Sequence, residues 1–266
     1  MKNRLNKLIG NGLLWLAMLC FWGCGKMDER VYLSIQMDNN VKEHEQNPEK
    51  YADTGLKLFI NGNICQFLRL GSSAGPVDKF LKPGRNTLEV KGSTAHPVEI
   101  TISSFRTDQT AIRTILDQKW TSISTSGIYQ ASFRVNKRIL LPIFDKKNSM
   151  PTGQGAEQEV TLVVSNLYRA CITKNKEEFL QIAFEGYKIH SPSEYLDVLG
   201  GVGALFDGFE LDPFPNRVHF IHGRNLLFVY SDTSDSGTVL FPAATKYAAS
   251  VAGVDFAYVG NHWIVW

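Results

Sequence analysis

Residues 71–75, Gly-Ser-Ser-Ala-Gly, have the spacing of a catalytic motif. They match G-x-S-x-G, in which the central serine, here Ser73, is the nucleophile of many hydrolases. That serine must stand on a sharp turn from a strand into a helix within a parallel sheet. Pro76 follows at once, and the surrounding pattern is that of antiparallel strands. We therefore interpret the motif as a loop of small residues and predict no catalytic residue here.

Histidines and cysteines show no spacing typical of a metal site. His219 and His222 are three residues apart in a predicted strand, so their side chains should point to opposite faces. Cys65 and Cys171 fall in separate apolar runs, which favours buried free thiols, although an oxidising compartment would permit a disulfide. We predict no metal and no cofactor.

The first residues resemble an export signal. Lys2, Arg4 and Lys7 precede an apolar run over residues 13–22, and no acidic residue occurs before Asp28. A run of about ten residues is the size of a signal-peptide core and roughly half of what a membrane-spanning helix needs. Residues 1–23 are therefore predicted to be a signal peptide.

Cys24 stands where the lipobox of bacterial lipoproteins has its lipid-bearing cysteine. Gly23 provides the small residue before it and Phe21 the apolar residue further back, whereas Trp22 departs from the family pattern. The resemblance implies lipidation of Cys24 and a membrane partner through that anchor. Because Gly25 replaces the aspartate that retains some lipoproteins at the inner membrane, the outer membrane facing the periplasm is favoured. An ordinary secretory signal is the alternative.

Charge excludes one class of partner. Residues 24–266 carry 25 Lys and Arg against 26 Asp and Glu, which is not the balance of a nucleic-acid-binding chain. The two halves differ, however. Residues 24–156 carry 18 basic against 13 acidic residues, and residues 157–266 carry 7 against 13. A basic and an acidic half suit either mutual docking or different partners.

Residues 24–146 show short runs of period two, typical of an antiparallel β-sandwich. Asn61-Gly62 predicts a tight hairpin and Pro83-Gly84 a second turn, with one short helix near residues 110–117. The stretch from Leu58 through Val90 resembles the hairpins of immunoglobulin-like and carbohydrate-binding sandwiches. Polar residues 147–156 predict a linker.

From residue 157 the period changes to about 3.6. One helix carries Val160, Val164 and Leu167 on one face, a second begins at Asn175 and a third at Ser191. After residue 215 the pattern becomes β again. Residues 167–170, Leu-Tyr-Arg-Ala, and 256–265, Phe-Ala-Tyr-Val-Gly-Asn-His-Trp-Ile-Val, resemble the nuclear-transport-factor-like superfamily that includes ketosteroid isomerase.

The resemblance implies an α+β chain, in which an immunoglobulin-like sandwich precedes a cone-shaped domain of three helices on one curved antiparallel sheet, at residues 157–266. A cone encloses a pocket. The residues that would line it are Tyr168, Tyr187, His190, Asp207, Asp212 and Tyr230. None of them stands in a spacing that demands a catalytic role.

These observations favour a non-catalytic envelope protein that binds a protein, glycan or small ligand. An immunity or inhibitor protein against a toxin is one alternative, since the acidic half would suit a basic toxin face. An isomerase- or dehydratase-like enzyme using the pocket of the second domain is the other.

Overall fold

The computed structural model describes residues 30–37, 55–68, 71–105, 112–136, 140–145, 147–190, 218–231 and 253–266. Its strands are β1 (Arg30–Met37), β2 (Leu56–Ile60), β3 (Asn63–Leu68), β4 (Ser72–Pro76), β5 (Gly84–Gly92), β6 (Val98–Phe105), β7 (Ile112–Trp120), β8 (Tyr129–Val135), β9 (Val218–His222), β10 (Leu226–Ser231), β11 (Val254–Val259) and β12 (His262–Val265). Its α-helices are α1 (Gln154–Ile172), α2 (Lys176–Ala183) and α3 (Glu185–His190). Two 3₁₀ turns span Asp78–Phe80 and Pro142–Phe144.

Two antiparallel sheets in the first half share one core. Sheet A has the order β4-β1-β6-β7, and sheet B has the order β3-β2-β5-β8. Alternate residues of each strand are buried, for example Leu33 and Ile35 on β1 or Leu88 and Val90 on β5. This period-two pattern is the physical reason that each sheet turns one face toward the shared core. The opposite face of sheet B is covered at β2 and β3, where Phe59, Ile64 and Phe67 pack against residues of β9 and β10.

The β2–β3 hairpin forms where the sequence predicts it. Asn61 and Gly62 have φ angles of 55° and 81°, the left-handed pair that a two-residue hairpin needs. The Asn61 side chain also donates to the carbonyl of Phe80 at 2.9 Å and accepts from the Thr87 backbone N–H at 3.2 Å. The hairpin therefore fixes the start of β5 as well as its own register.

Two local predictions in this half are wrong. Residues 71–75 form no loop: Ser72–Pro76 is strand β4, paired antiparallel with β1, and Pro76 stands at its end, where the missing N–H costs little. The helix predicted near residues 110–117 is strand β7, which pairs with β6 over Ile112–Trp120. Cross-strand pairing decides the conformation there, because a short segment has little helix stability of its own.

Sheet C, of order β12-β11-β10-β9, is buried on both faces. On one face Leu227 and Phe256 pack with the helices. On the other face Leu226 and Ala257, their neighbours in the chain, join the core of sheets A and B. Consecutive apolar residues are what a sheet covered on both sides requires.

The predicted fold class is therefore wrong. The described residues form three antiparallel sheets, and they contain no cone of three helices on one curved sheet. Sheet C is a middle layer covered on both faces rather than the wall of a pocket. The first half is not immunoglobulin-like either, because its strand orders differ from the ABED and CFG sheets of that fold.

The helices begin and pack for local reasons. Val160, Val164 and Leu167 are the buried stripe of α1, as the sequence predicts. Asn175 caps α2 by accepting from the Glu178 backbone N–H at 3.2 Å. A Cβ at Gly186 would stand 2.2 Å from the Val265 carbonyl oxygen, so glycine allows α3 to lie directly on β12. The helix predicted from Ser191 lies outside the described residues.

Polar contacts join the two halves. The Asn63 side-chain oxygen on β3 accepts from the backbone N–H groups of Asn225 and Leu226 at 2.7 and 3.1 Å. The Lys79 ammonium pairs with the Asp255 carboxylate at 2.7 Å. The β9–β10 hairpin is thereby held against the β2–β3 hairpin. The predicted division into residues 24–146 and 157–266 stays a prediction.

Candidate functional site

The structure does not bring the predicted pocket residues together. Tyr168 on α1 is buried between the helices and sheet C. Tyr230 on β10 lies on the opposite face of that sheet, where its ring stacks on His219 at a centroid distance of 5.0 Å. Tyr187 on α3 packs edge-on against Phe184 at 6.0 Å. The two cavities described below are lined by none of these three tyrosines.

The remaining predicted site residues cannot be placed in the same way. The backbone of His190 ends α3, and its side chain lies outside the described part. Asp207, Asp212 and the lipidation candidate Cys24 lie outside the described residues. These assignments stay predictions.

Hydrophobic side chains fill the space that a cone would leave open. Val160 and Val164 from α1 and Phe179 from α2 meet Phe256 and Trp263 from sheet C. All five are at most 7% exposed. In the described residues this layer is a packed core rather than an open pocket. The isomerase- or dehydratase-like hypothesis stays a prediction.

The histidines of β9 and the two described cysteines make contacts within the fold. His222 bonds the Glu157 carboxylate at 2.7 Å, whereas His219 faces the other side of sheet C. Cys65 and Cys171 are free thiols. Burial raises the pKa of Cys65 strongly, with a further increase from nearby Asp255, and burial raises the pKa of Cys171 to about 11. Neither thiol is poised as a nucleophile.

Within the described ranges no three His, Cys, Asp or Glu side chains converge as a metal ion would require. None of the described helices combines the length and the hydropathy that a bilayer crossing needs.

A groove runs over the solvent-facing side of sheet B, and we name it the basic groove. Its first part holds about 420 Å³ and is lined by Gly55, Lys57, Phe59, Phe67, Lys91, Gly92, Ser93, Thr125 and Ile221. Its second part holds about 390 Å³ and is lined by Glu89, Val90, Lys91, Gly92, Ser124, Thr125, Gly127, Ile128, Tyr129 and Gln130. Because both parts share Lys91, Gly92 and Thr125, they form one continuous depression.

Two phenylalanines under two lysines form the floor of the first part. The Lys57 ammonium lies 5.2 Å from the centre of the Phe67 ring, and the Lys91 ammonium lies 4.8 Å from that of Phe59. Cation–π contacts of this kind are worth about 0.5–1 kcal/mol at exposed sites. The rings are only 9% and 7% exposed, so they support the lysines from below.

Ile221 on β9 contributes one wall of the basic groove. It packs with Phe59 and Phe67 of sheet B in a small hydrophobic cluster that also includes Tyr230. The groove therefore lies where the two halves of the chain meet, a common place for a ligand site.

Two glycines allow the backbone to form the groove. Gly92 has a φ of +125°, and a Cβ there would stand 2.1 Å from the Gly55 carbonyl oxygen. A Cβ at Gly55 would stand 2.4 Å from the Phe67 ring. Both positions exclude larger residues on steric grounds, so the end of β5 is shaped by close approach of backbone and ring.

Cations face each other across sheet B. Lys57 on β2 is the direct cross-strand partner of Lys91 on β5, and Arg85 on β5 is the partner of Arg134 on β8. All four lie at positions that alternate with the buried residues of their strands, so they share the solvent-facing side. Like charges directly opposite each other destabilise a sheet. This face therefore carries an electrostatic cost, which the nearby Glu89 carboxylate offsets only in part.

Sheet A has the opposite arrangement. Its cross-strand partners Glu99 and Lys119 form an ion pair of 3.0 Å on the outer side. On sheet B the acid among the groove-lining residues is Glu89, whose carboxylate lies 3.4 Å from the Lys91 ammonium. The contrast makes the outer face of sheet B the candidate site, since its unbalanced positive charge is suited to an anion.

No protein-family model matches the chain, and neither the curated proteins nor the solved structures give a match. Function is therefore inferred from the geometry of this chain's own residues.

Sequence reasoning missed the basic groove. The alternation Arg85, Thr87, Glu89, Lys91 does mark a solvent-facing strand side in the sequence. It does not show that Lys57 and Arg134 lie opposite its two ends, because that depends on pairing with two distant strands.

Proposed function

We propose that this chain is a lipid-anchored cell-envelope protein that binds a glycan in the basic groove and performs no chemistry of its own. The observation that carries the proposal is the groove itself. An open depression with a partly apolar floor and convergent hydroxyl, amide and ammonium groups can hold a molecule rich in hydroxyl groups. Ser93, Thr125, Tyr129 and Gln130 supply such groups beside Lys91.

The signal-like residues 1–23 and Cys24 support the anchor and an outer-membrane location facing the periplasm. The full chain should fractionate with membranes, and Cys24→Ala should release it as a soluble or uncleaved form. Labelling with a radioactive or alkyne-bearing fatty acid should mark the wild type alone. Equal membrane retention and equal labelling of both forms would contradict the anchor.

Glycan binding is tested by blocking the groove without changing its charge. Thr125 is exposed and lines both parts of the groove, so Thr125→Trp should fill it. Thr152→Trp places the same bulk at an exposed position that lines neither part of the groove, and it is the matched control. We expect the wild type and Thr152→Trp to co-sediment with insoluble peptidoglycan and Thr125→Trp to bind at least about tenfold less. Failure of the wild type to bind, or equal binding of Thr125→Trp, would contradict the proposal.

We favour glycan binding over the immunity or inhibitor alternative because acids of the second half are engaged internally. Glu157 and Glu185 bond His222 and His262, and Glu159 accepts from the Trp263 indole at 2.9 Å. These three acids are paired within the chain, so they do not contribute to an unpaired acidic face. A toxin gene encoded next to this chain would favour the alternative.

A further inference from the structure

Resting on the proposed function, we propose that the glycan is acidic: a linear saccharide chain whose carboxylate or phosphate groups lie on the two like-charge pairs, Lys57–Lys91 and Arg85–Arg134. The four cations stand on three adjacent strands of sheet B. An anion between two facing cations relieves their repulsion and gains two charge-assisted hydrogen bonds. A neutral saccharide offers neither.

The spacing of the two pairs suits a chain rather than a single small ion. Arg85 and Lys91 are six positions apart on β5, which corresponds to roughly 20 Å along an extended strand. Between them the outer face carries Thr87 with Ser132 and Glu89 with Gln130 as cross-strand partners. These polar groups are suited to the hydroxyls of the intervening sugar units.

Arg85 is already oriented across the sheet. Its guanidinium donates from Nε and Nη2 to the Ser132 hydroxyl at 3.3 and 3.1 Å. Those two bonds leave further N–H donors of the planar guanidinium free to bind an acidic group bidentately. Lys57 has no ion pair within the described part of the chain, so its ammonium is available as well.

An acidic saccharide fits this face better than a lipid surface does. Membrane-surface sites combine cations with apolar side chains that insert between lipids. Here Phe59 and Phe67 lie beneath the lysines and are less than a tenth exposed, so the rings cannot insert. Ile128 is the one large apolar side chain of the groove lining that is exposed, and a single side chain offers little area to insert between lipids. Recognition would therefore depend on charge and hydroxyl groups.

Because the cations face each other in like-charge pairs, their substitution can distinguish a role in binding from a role in stabilising the fold. Arg134→Gln and Lys57→Gln should each weaken affinity for an acidic oligosaccharide about tenfold. Arg134→Gln also removes one member of a repelling pair, so it should raise the thermal denaturation midpoint, whereas in Lys57→Gln the lost contact with Phe67 opposes that gain. A purely structural cation would lower the midpoint when removed. Lys119→Gln, in the complementary pair of sheet A, should leave affinity unchanged.

The probes are tetragalacturonate, a neutral tetrasaccharide of similar size and anionic phospholipid vesicles. Each is titrated calorimetrically into the full chain held in nanodiscs of zwitterionic phospholipid, since detergent micelles would dissolve the vesicles. Binding of tetragalacturonate alone, weakened by Lys57→Gln and Arg134→Gln, supports the inference. Equal affinity for the neutral tetrasaccharide, no response to either variant, or binding of vesicles alone would overturn it. If the neutral tetrasaccharide binds and Thr125→Trp abolishes that binding, the inference that the glycan is acidic is overturned, but the proposed glycan-binding function is supported. If Thr125→Trp leaves the binding of either saccharide unchanged, both the inference and the proposed function are contradicted.

Discussion

Lys79 and Asp255 form a 2.7 Å ion pair that joins the 3₁₀ turn after β4 to strand β11. Asp255 is 7% exposed, and its second carboxylate oxygen has no hydrogen-bond partner among the described residues. Burial raises the pKa of Asp255, while the Lys79 ammonium opposes that increase. Lys79 also donates to the Trp266 carbonyl oxygen at 3.0 Å. One lysine therefore links the first half to strand β11 and to Trp266, the residue that follows β12.

Lys79→Met should destabilise the protein by about 3 kcal/mol near neutral pH, because it leaves a buried carboxylate without its cation. The folded pKa of Asp255 then lies further above its unfolded value. The folded state consequently favours the protonated carboxyl, and the loss should shrink as the pH falls from 7.5 to 4. Urea denaturation at both pH values measures it.

Adding Asp255→Asn to Lys79→Met should restore most of the stability at pH 7.5, since no buried charge remains. Lys119→Met, in an exposed pair, is the control and should not move the denaturation midpoint measurably. A loss in Lys79→Met that is the same at both pH values would contradict the assignment of its cause to Asp255.

Both faces of sheet C should be equally sensitive to truncation. Leu226 packs in the core of sheets A and B and Leu227 in the helix core, and both are fully buried. Leu226→Ala and Leu227→Ala should each lower the free energy of unfolding by about 2–5 kcal/mol. Leu162→Ala, on the exposed side of α1, is the matched control and should change it little. A large effect at one of the two buried positions alone would mean that sheet C has a single packed face.

Gly92→Ala should destabilise sheet B by roughly 1–3 kcal/mol, because its positive φ and the Gly55 carbonyl oxygen both exclude a Cβ. Gly75→Ala is the control: a Cβ there meets no atom within 4 Å, and the backbone needs no positive φ. Thermal denaturation monitored by circular dichroism compares them. Equal midpoints for the two variants would show that the close approach at Gly92 is relaxed in solution.

His262 should make stability pH-dependent. Its Nε2 bonds the Glu185 carboxylate at 2.8 Å, and this bond raises the pKa of His262, with a smaller increase from the Gly260 carbonyl. The folded state therefore favours the protonated imidazole. The stabilisation is complete below the unfolded pKa, about 6.5, and disappears as the pH rises through the folded pKa.

The midpoint difference between wild type and His262→Gln should accordingly be larger at pH 5.5 than at pH 8.5. His96→Gln is the control, since no acidic partner faces His96 within the described residues. The assignment fails if the midpoint difference for His262→Gln is constant over this pH range or grows toward pH 8.5.

Turns and helix caps could be predicted from the sequence, whereas the way in which the sheets and helices stack in layers could not. Asn61-Gly62 predicts its hairpin because the required φ angles are intrinsic to those residues. The α2 cap at Asn175 is local in the same way. The sequence predicts a helix where β7 forms, because the pairing of β7 with β6 is a tertiary effect that the local pattern does not show.

The largest error concerned sheet C. Three strands of sheet C carry neighbouring apolar residues that lie on opposite faces: Leu226-Leu227, Phe256-Ala257 and Trp263-Ile264. The cone hypothesis takes no account of the second apolar face. Those consecutive apolar residues were the available signal for a middle layer. The basic groove could not be predicted for a different reason. Lys57 and Lys91 are far apart in the sequence and lie opposite each other only because of the register in which β2 pairs with β5.

The most direct test of the central claim is the position at which an acidic saccharide contacts the chain. Tetragalacturonate activated with a carbodiimide forms an amide where its carboxyl group touches a lysine amine, with the carbodiimide taking up the water released. Peptide mass spectrometry then locates the adducts. We expect them at Lys57 and Lys91, and their loss in Thr125→Trp. Adducts spread equally over Lys57, Lys174 and Lys176, or concentrated away from sheet B, would contradict the account.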